Sequence, residues 1–256
     1  MKVKMILTDL DHTLLRQDGG VSEKTLRTLA KCRAKGIQFA IATARYWIGA
    51  ERYIELLKPD YEITTDGTLI HSKEKCIYSL AFTEKETNRI VGGLLEAVPE
   101  AEITVAEGKR VYWNSKRIAE SEKLHKAIYT DYSSELPVRA NKIVAGLPDE
   151  AVARTIAEKL DCRLQSYRGE NWYAFLPKDA GKTAAIKALI MASGVPIEDI
   201  AAFGDDTNDI EMLKLCGKGV AVANAVPEVL EIADDVTLSN DDDGVAKWLA
   251  DHCLCG

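Results

Sequence analysis

The sequence predicts an α/β fold in which a parallel-sheet core is interrupted by an inserted α+β unit. Three observations predict it. Short apolar runs alternate with helical patterns at both ends of the chain, as where "VKMILT" gives way to "SEKTLRTLAKCRAKG"; such runs mark strands covered on both faces. From about Ala81 to Lys178 the rhythm changes to hairpins and interspersed helices. Three of the outer apolar runs end in polar groups, at Asp9, Thr43 and Asp205.

Each element has its local reason. Ser22 is placed to cap the first helix and Gly36 to stop it. "IQFAIAT" is the next strand, a helix runs from about Tyr46 to Leu57 before Pro59, and "YEITT" is a third strand. In the insertion the spacing predicts a helix near Glu84–Ala97, two strands in "AEITVAEGKRVYW", and a helix near Ala119–Tyr132. Next come a strand in "NKIVAGL", the helix "DEAVARTIAEKL", and a hairpin around Arg168, Gly169 and Glu170. The core resumes with the helix "GKTAAIKALIMASG", the strand "DIAAFG", the helix "NDIEMLKLC", the strand "KGVAVA" and two closing helices. The expected division is residues 1–80 and 179–256 for the core and 81–178 for the insertion.

The 256 residues carry a net charge of −7, with 46% hydrophobic and 29% charged residues, ordinary values for a soluble protein. The acidity argues against a nucleic-acid partner. No stretch has membrane-spanning length, and the N-terminal apolar run, broken by Asp9, is too short for a signal-peptide core. The six cysteines are scattered without a CxxC pair, and the terminal Cys253 and Cys255 have no histidine cluster nearby. Reduced thiols in a cytoplasmic protein are the expectation.

Ligands of open α/β sheets bind beyond the carboxyl ends of the strands. One strand here ends at Asp9 with Asp11 two residues on, a second at Thr43 before Ala44 and Arg45, and a third at Asp205 and Asp206 before Asn208 and Asp209. Asp, Asn and Gly are also common at strand ends for structural reasons, so each turn alone says little. If the strands are neighbours, these carboxylates share one space and cannot all stay ionised without a cation. An all-oxygen set suits Mg²⁺. Lys182 opens a helix, against the dipole, where an anion would account for it. The "GKT" at 181–183 is not a phosphate-binding P-loop, because the required earlier glycine is Leu176.

The ordered set "DLDHT" (9–13), "IATAR" (41–45), Lys182 and "GDDTND" (204–209) resembles the haloacid dehalogenase superfamily of phosphotransferases, and most of all its Cof-like phosphatases, which have a Rossmann-like core and an α/β cap. The resemblance implies a Mg²⁺-dependent phosphatase acting on a small phosphorylated metabolite, most plausibly a sugar phosphate. It implies that Asp9 is the nucleophile and Asp11 the general acid and base, its proton held by neighbouring carboxylates. Asp9, Asp205 and the backbone carbonyl of Asp11 would hold the metal. Thr43, the backbone of Ala44, Arg45, Lys182 and Asn208 would bind phosphate or substrate, and Asp209 would tie Lys182 or a water on the metal in place. Tyr46, Trp47 and the turn Tyr167–Asn171 become candidates for the cleft beneath the cap, against the blander readings of a helix start packed on the core and an ordinary hairpin turn.

Three departures from the family pattern stand out. His12 and Ala44 replace common glycines, and Asp66 and Thr68 replace the Asn and Ala of a hinge-side motif. Two other readings share the motifs: phosphomutase-type transfer to a second hydroxyl, and a non-catalytic phospho-switch of the receiver type. Asp11 and the long insertion favour an enzyme over the switch. Hydrolysis of phosphate monoesters needs accelerations up to ~10²¹-fold, and one acid–base residue supplies about 10²–10⁴. Several groups must therefore act together.

Overall fold

The computed structural model describes residues 2–254 other than 122, 123, 125 and 168. The first half of the core runs β1 (Met5–Thr8), α1 (Glu23–Ala34), β2 (Gln38–Ala42), α2 (Trp47–Leu57), β3 (Tyr61–Thr64), β4 (Leu69–Ser72) and β5 (Lys75–Ser79). The inserted unit runs α3 (Glu84–Ala97), β6 (Ile103–Glu107), β7 (Arg110–Trp113), β8 (Ile128–Tyr129), β9 (Lys142–Gly146), α4 (Glu150–Leu160), β10 (Arg163–Ser166) and β11 (Trp172–Leu176). The core closes with α5 (Lys182–Ser193), β12 (Ile200–Gly204), α6 (Ile210–Leu215), β13 (Lys218–Ala221), α7 (Pro227–Ile232), β14 (Asp235–Val236) and α8 (Gly244–Leu249).

The core sheet has the order β14-β13-β12-β1-β2-β3-β4-β5. It is parallel from β14 to β3, and β4 and β5 add an antiparallel edge. The chain leaves β1 toward β2 on one side, and β12 lies on its other side, so the strand order reverses at β1. That reversal opens a crevice at the strands' carboxyl ends. β1 is apolar along its length because both faces are covered: Met5, Ile6 and Leu7 are fully buried with Phe39, Ile41 and Phe203 of the flanking strands. Local signals delimit the helices as expected. Ser22 accepts from the Thr25 amide at 3.0 Å, and Gly36 and Gly194 take positive φ after α1 and α5.

The cap sheet has the order β10-β11-β9-β6-β7-β8 and is antiparallel except for β7 and β8. Strand parity divides its faces. Ile143 and Ala145 of β9 join Ile103, Val105 and Phe175 in a cluster with Ile90 and Leu94 of α3 and Ile156 of α4. Val144, Ala174 and Leu176 form a separate cluster on the opposite face, packed on Tyr46 and Ala180 of the core. Lys142, Arg163 and Gln165 share the parity of this second face, since Ala106 pairs with Lys142, Arg163 with Leu176, and Gln165 with Ala174.

Besides the short edge strand β14, two stretches differ from the sequence expectation. The helix expected over 119–132 lies partly outside the described residues; the described part is a 3-10 turn at Ile118–Glu120 and the strand β8. Hydrogen bonding to β7 overrides the helical pattern there, with Thr130 donating to the Trp113 carbonyl at 3.1 Å. The β4–β5 hairpin has no local sequence signature: its turn, Lys73-Glu74, lacks the usual Asn-Gly signal although both residues have positive φ. The expected hairpin turn at 168–170 and the Cys253–Cys255 pair each include a residue outside the described set.

Candidate active site

β1 and β12 pair in register, Thr8 with Phe203, so their ends deliver Asp9 and Asp205 to one edge of the sheet. The Asp9 amide donates to the Phe203 carbonyl at 3.0 Å. A tight turn at Leu10–Leu14 follows and brings Thr13 Oγ1 onto Asp205 Oδ1 at 2.5 Å. Lys182, the first residue of α5, is buried; its Nζ donates to Asp9 Oδ1 at 2.8 Å and to Asp209 Oδ1. The other oxygen of Asp209 accepts from the amides of Asp205, at 3.1 Å, and Asp206, at 3.3 Å. Asp209 can lie this close to the strand only because residue 204 is glycine, where a Cβ would stand 2.5 Å from the Asp209 Cβ.

Asp9, Asp205 and Asp209 thus converge, one carboxylate oxygen from each lying within 4.8 Å of the others. One ammonium faces three carboxylates. Burial pushes the Asp9 carboxyl well up; Lys182 opposes this, and Asp209 and Asp205 add to it. Burial also pushes Asp205 up to about 6, against the Thr13 hydrogen bond and with Asp209. Burial disfavours the charge on Lys182, but Asp209 and Asp9 outweigh it and raise its pKa. The donor set is all oxygen and carries excess negative charge, and it fits a hard divalent cation.

The other expected residues occupy defined places. Thr43, buried just beyond β2, takes the Arg45 amide on its Oγ1 at 3.2 Å. Arg45 holds Asp11 with two hydrogen bonds, Nε to Oδ2 at 2.7 Å and a terminal nitrogen to Oδ1 at 2.5 Å. The guanidinium of Arg45 is thus a described partner of Asp11, beside the carboxylates that the family resemblance implies for it. Asn208 and Lys182 line a cleft of about 290 Å³ together with Asp66 and the cap residues Arg163 and Gln165. His12 is exposed, at φ +59°, and its carbonyl accepts from Asn224 at 2.8 Å. Trp47 lies in the cap–core seam, its ring nitrogen donating to Glu62 at 3.1 Å with Lys109 over the ring. The Tyr46 hydroxyl lies 2.6 Å from Thr104 Oγ1 of the cap. Of the 167–171 turn, Tyr167 donates to Asp66 at 2.7 Å, while Gly169, Glu170 and Asn171 are exposed. Ala44 offers its carbonyl to Lys142, which joins Asp66 in an ion pair of 2.6 Å.

Sequence reasoning missed Lys142, Arg163 and Gln165. Their signal was parity: Arg163, Gln165 and Tyr167 alternate in "CRLQSY", and Lys142 opens an apolar strand. Which face meets the core is not written in either pattern.

A doubly covered parallel sheet with carboxylates at its switch point, a buried lysine among them and a second sheet seated above defines a capped α/β protein with a charged site under its cap. The chain belongs to the haloacid dehalogenase-like hydrolases, whose family profile matches residues 6–249. The family profile makes it a hydrolase. Among its relatives, phosphatase YwpJ of Bacillus subtilis is 27% identical, over 96% of this chain and 99% of its own length. The 5-amino-6-(5-phospho-D-ribitylamino)uracil phosphatase YitU of the same organism is 24% identical over 98% of both chains. The fold matches that of the subclass IIB sugar phosphatase BT4131 with a TM-score of 0.85, covering 99% of this chain and 100% of that one at 21% identity. Among the described residues no helix is long and apolar enough to cross a membrane.

Proposed function

We propose that the enzyme is a Mg²⁺-dependent phosphatase that hydrolyses a small sugar phosphate through a phosphorylated Asp9. The observation that carries this reading is the contact of Lys182 with Asp9 inside the Asp9–Asp205–Asp209 cluster. Asp9, Asp205 and the backbone carbonyl of Asp11 would hold the ion, which supplies positive charge for the phosphate oxygens and keeps Asp9 ionised.

The protein's own groups do the rest. An oxygen of Asp9 forms a bond to phosphorus as the bond from phosphorus to the leaving oxygen breaks. With one of its oxygens released by Arg45 and protonated, Asp11 gives the leaving oxygen that proton, then takes one from the water that attacks the acyl phosphate. Inorganic phosphate leaves and Asp9 is restored. Thr43, the Ala44 backbone and Asn208 orient the phosphoryl oxygens, and Lys182 opposes their charge. Arg45, hydrogen-bonded to Asp11, orients that carboxyl; reaching the phosphate would require Arg45 to release it. Asp209 holds Lys182.

The sugar assignment rests on the cleft. Asp66, Arg163, Gln165, Thr207, Asn208 and Glu211 give it polar walls suited to several hydroxyl groups. The resemblance to a fold described as a sugar phosphatase agrees with it. The test is phosphate release from p-nitrophenyl phosphate and a panel of phosphorylated sugars, with Mg²⁺ or EDTA, by wild type and Asp9→Asn. Release that needs Mg²⁺, and that the variant loses, is expected. Turnover by Asp9→Asn above a few per cent of wild type excludes Asp9 as nucleophile, and an isomeric sugar phosphate without free phosphate replaces hydrolysis with transfer.

A further inference from the structure

Lys142 and Lys182 are the two buried lysines among the described residues. The catalytic cluster accounts for Lys182. Lys142 belongs to the cap and has no place in the chemistry above, yet a buried ammonium is destabilising unless its surroundings replace its lost hydration. Its partners lie mostly across the seam. Nζ meets Asp66 Oδ2 at 2.6 Å and the Ala44 carbonyl at 3.0 Å, with the Tyr46 and Tyr167 rings each 4.9 Å away. Tyr167 donates to the same Asp66 oxygen at 2.7 Å, as a phenol whose proton is held by burial and by that carboxylate.

The two loops that Lys142 touches each adjoin a group of the site. Ala44 precedes Arg45, which grips Asp11. Asp66 precedes Gly67, whose position is so close to α5 that a Cβ would stand 2.6 Å from the Gly181 carbonyl, next to Lys182. The second loop is strained. Thr65, Asp66 and Gly67 have φ of +58°, +55° and +82° in succession, and a β-branched residue there is unusual. Such a conformation persists when its surroundings hold it. The loops are already linked by the Thr65 amide on the Arg45 carbonyl at 2.8 Å. Lys142 adds a second link, from the cap.

We propose that Lys142 is a positioning residue: seated between the Ala44 carbonyl and the Asp66 carboxylate, it sets the 43–45 and 65–67 loops in their working arrangement when the cap is closed. The enzyme then completes its phosphate site only with the cap in place. Asp66, where the related motif has Asn, supplies the counter-ion that lets this ammonium be buried. The kinetic part of the inference rests on the phosphatase reading; the loop-ordering part does not.

The test compares wild type with Lys142→Met, Asp66→Asn and the double variant. Thermal melting, p-nitrophenyl phosphate kinetics with Mg²⁺, and backbone amide exchange are measured on each. The single Lys142→Met leaves Asp66 buried without its cation and loses stability; the double variant removes both charges and regains much of the melting temperature. If Lys142 positions the loops, kcat stays about tenfold or more below wild type in the double variant, as small misplacements in a site can cost up to ~10². The amides of residues 44–46 and 65–68 then also exchange faster than in wild type. A double variant that recovers kcat along with stability overturns the proposal, as does unchanged exchange in both loops. If wild type itself releases no phosphate, the phosphatase reading fails, and the exchange data alone decide the role of Lys142: faster exchange in the double variant supports it and unchanged exchange overturns it.

Discussion

Arg45 grips both carboxylate oxygens of Asp11, at 2.7 and 2.5 Å, and donates a third hydrogen bond to the Gly49 carbonyl at 3.0 Å. A planar fork anchored at both ends holds a carboxylate in one orientation, and lysine cannot copy it. Arg45→Lys should therefore lower kcat for p-nitrophenyl phosphate by about 10–100-fold, a part of what an acid–base group supplies, and leave KM nearly unchanged. A raised KM with wild-type kcat would place Arg45 on the substrate instead.

Lys182 is the only cation touching Asp9 and Asp209 among the described contacts, with its side chain 4% exposed. Lys182→Met leaves two buried carboxylates facing each other. Breaking such a pair costs about 3–5 kcal/mol, or roughly 6–20 °C in melting temperature for a chain of this size. Adding Asp209→Asn should recover part of that loss and none of the activity. Melting curves and phosphate release, measured side by side, separate the two effects.

The pH dependence of stability should reverse with Mg²⁺. Asp205 sits at about 6 in the folded protein against an ordinary 3.8, so the native state keeps this proton longer than the unfolded chain. In EDTA, its share of stability is present below pH ~4 and lost as the pH rises to about 6 and beyond. A divalent ion binds the deprotonated cluster. At about 100 times its dissociation constant it adds about 2.7 kcal/mol, roughly 5–10 °C, at pH 7.5, and much less at pH 5. Scanning calorimetry at the two pH values checks this. Equal Mg²⁺ shifts at both would remove Asp205 from the metal site.

Gly204→Ala tests the close approach of Asp209 to the end of β12. The added methyl would stand 2.5 Å from the Asp209 Cβ and 2.6 Å from its Cγ, at a fully buried strand end. Overpacking of this kind costs about 1–3 kcal/mol. Because Asp209 also orients Lys182 and the amides of Asp205 and Asp206, activity should fall at least as steeply as stability. A variant with wild-type kcat would show that the cluster tolerates a displaced Asp209.

Much of this architecture could be read from the chain because its causes are local. Ser22 caps α1, Gly194 ends α5, and the apolar run of β1 has one stable use, between two covered faces. The acidic strand ends could be read too, although only as residue types that suit a cation. The placement of Arg45 could not. The same residue serves equally well as a phosphate ligand or as the holder of Asp11, and only the fold brings it to Asp11. The β4–β5 hairpin and β8 were hidden for a related reason: their turn and pairing lack a distinctive local pattern, and neighbouring strands impose them.

By itself, then, the order of amino acids determined most of the secondary elements, the parallel core, the break in rhythm at the cap and the carboxylates waiting at strand ends, since steric and hydrogen-bonding preferences act over a few residues. Only the tertiary structure decided that β12 lies beside β1, that Lys182 settles between Asp9 and Asp209, and that the Lys142 face of the cap turns toward Asp66. Those outcomes depend on which surfaces bury one another across long stretches of chain. No short segment carries that information, because the energy resides in the contact between segments.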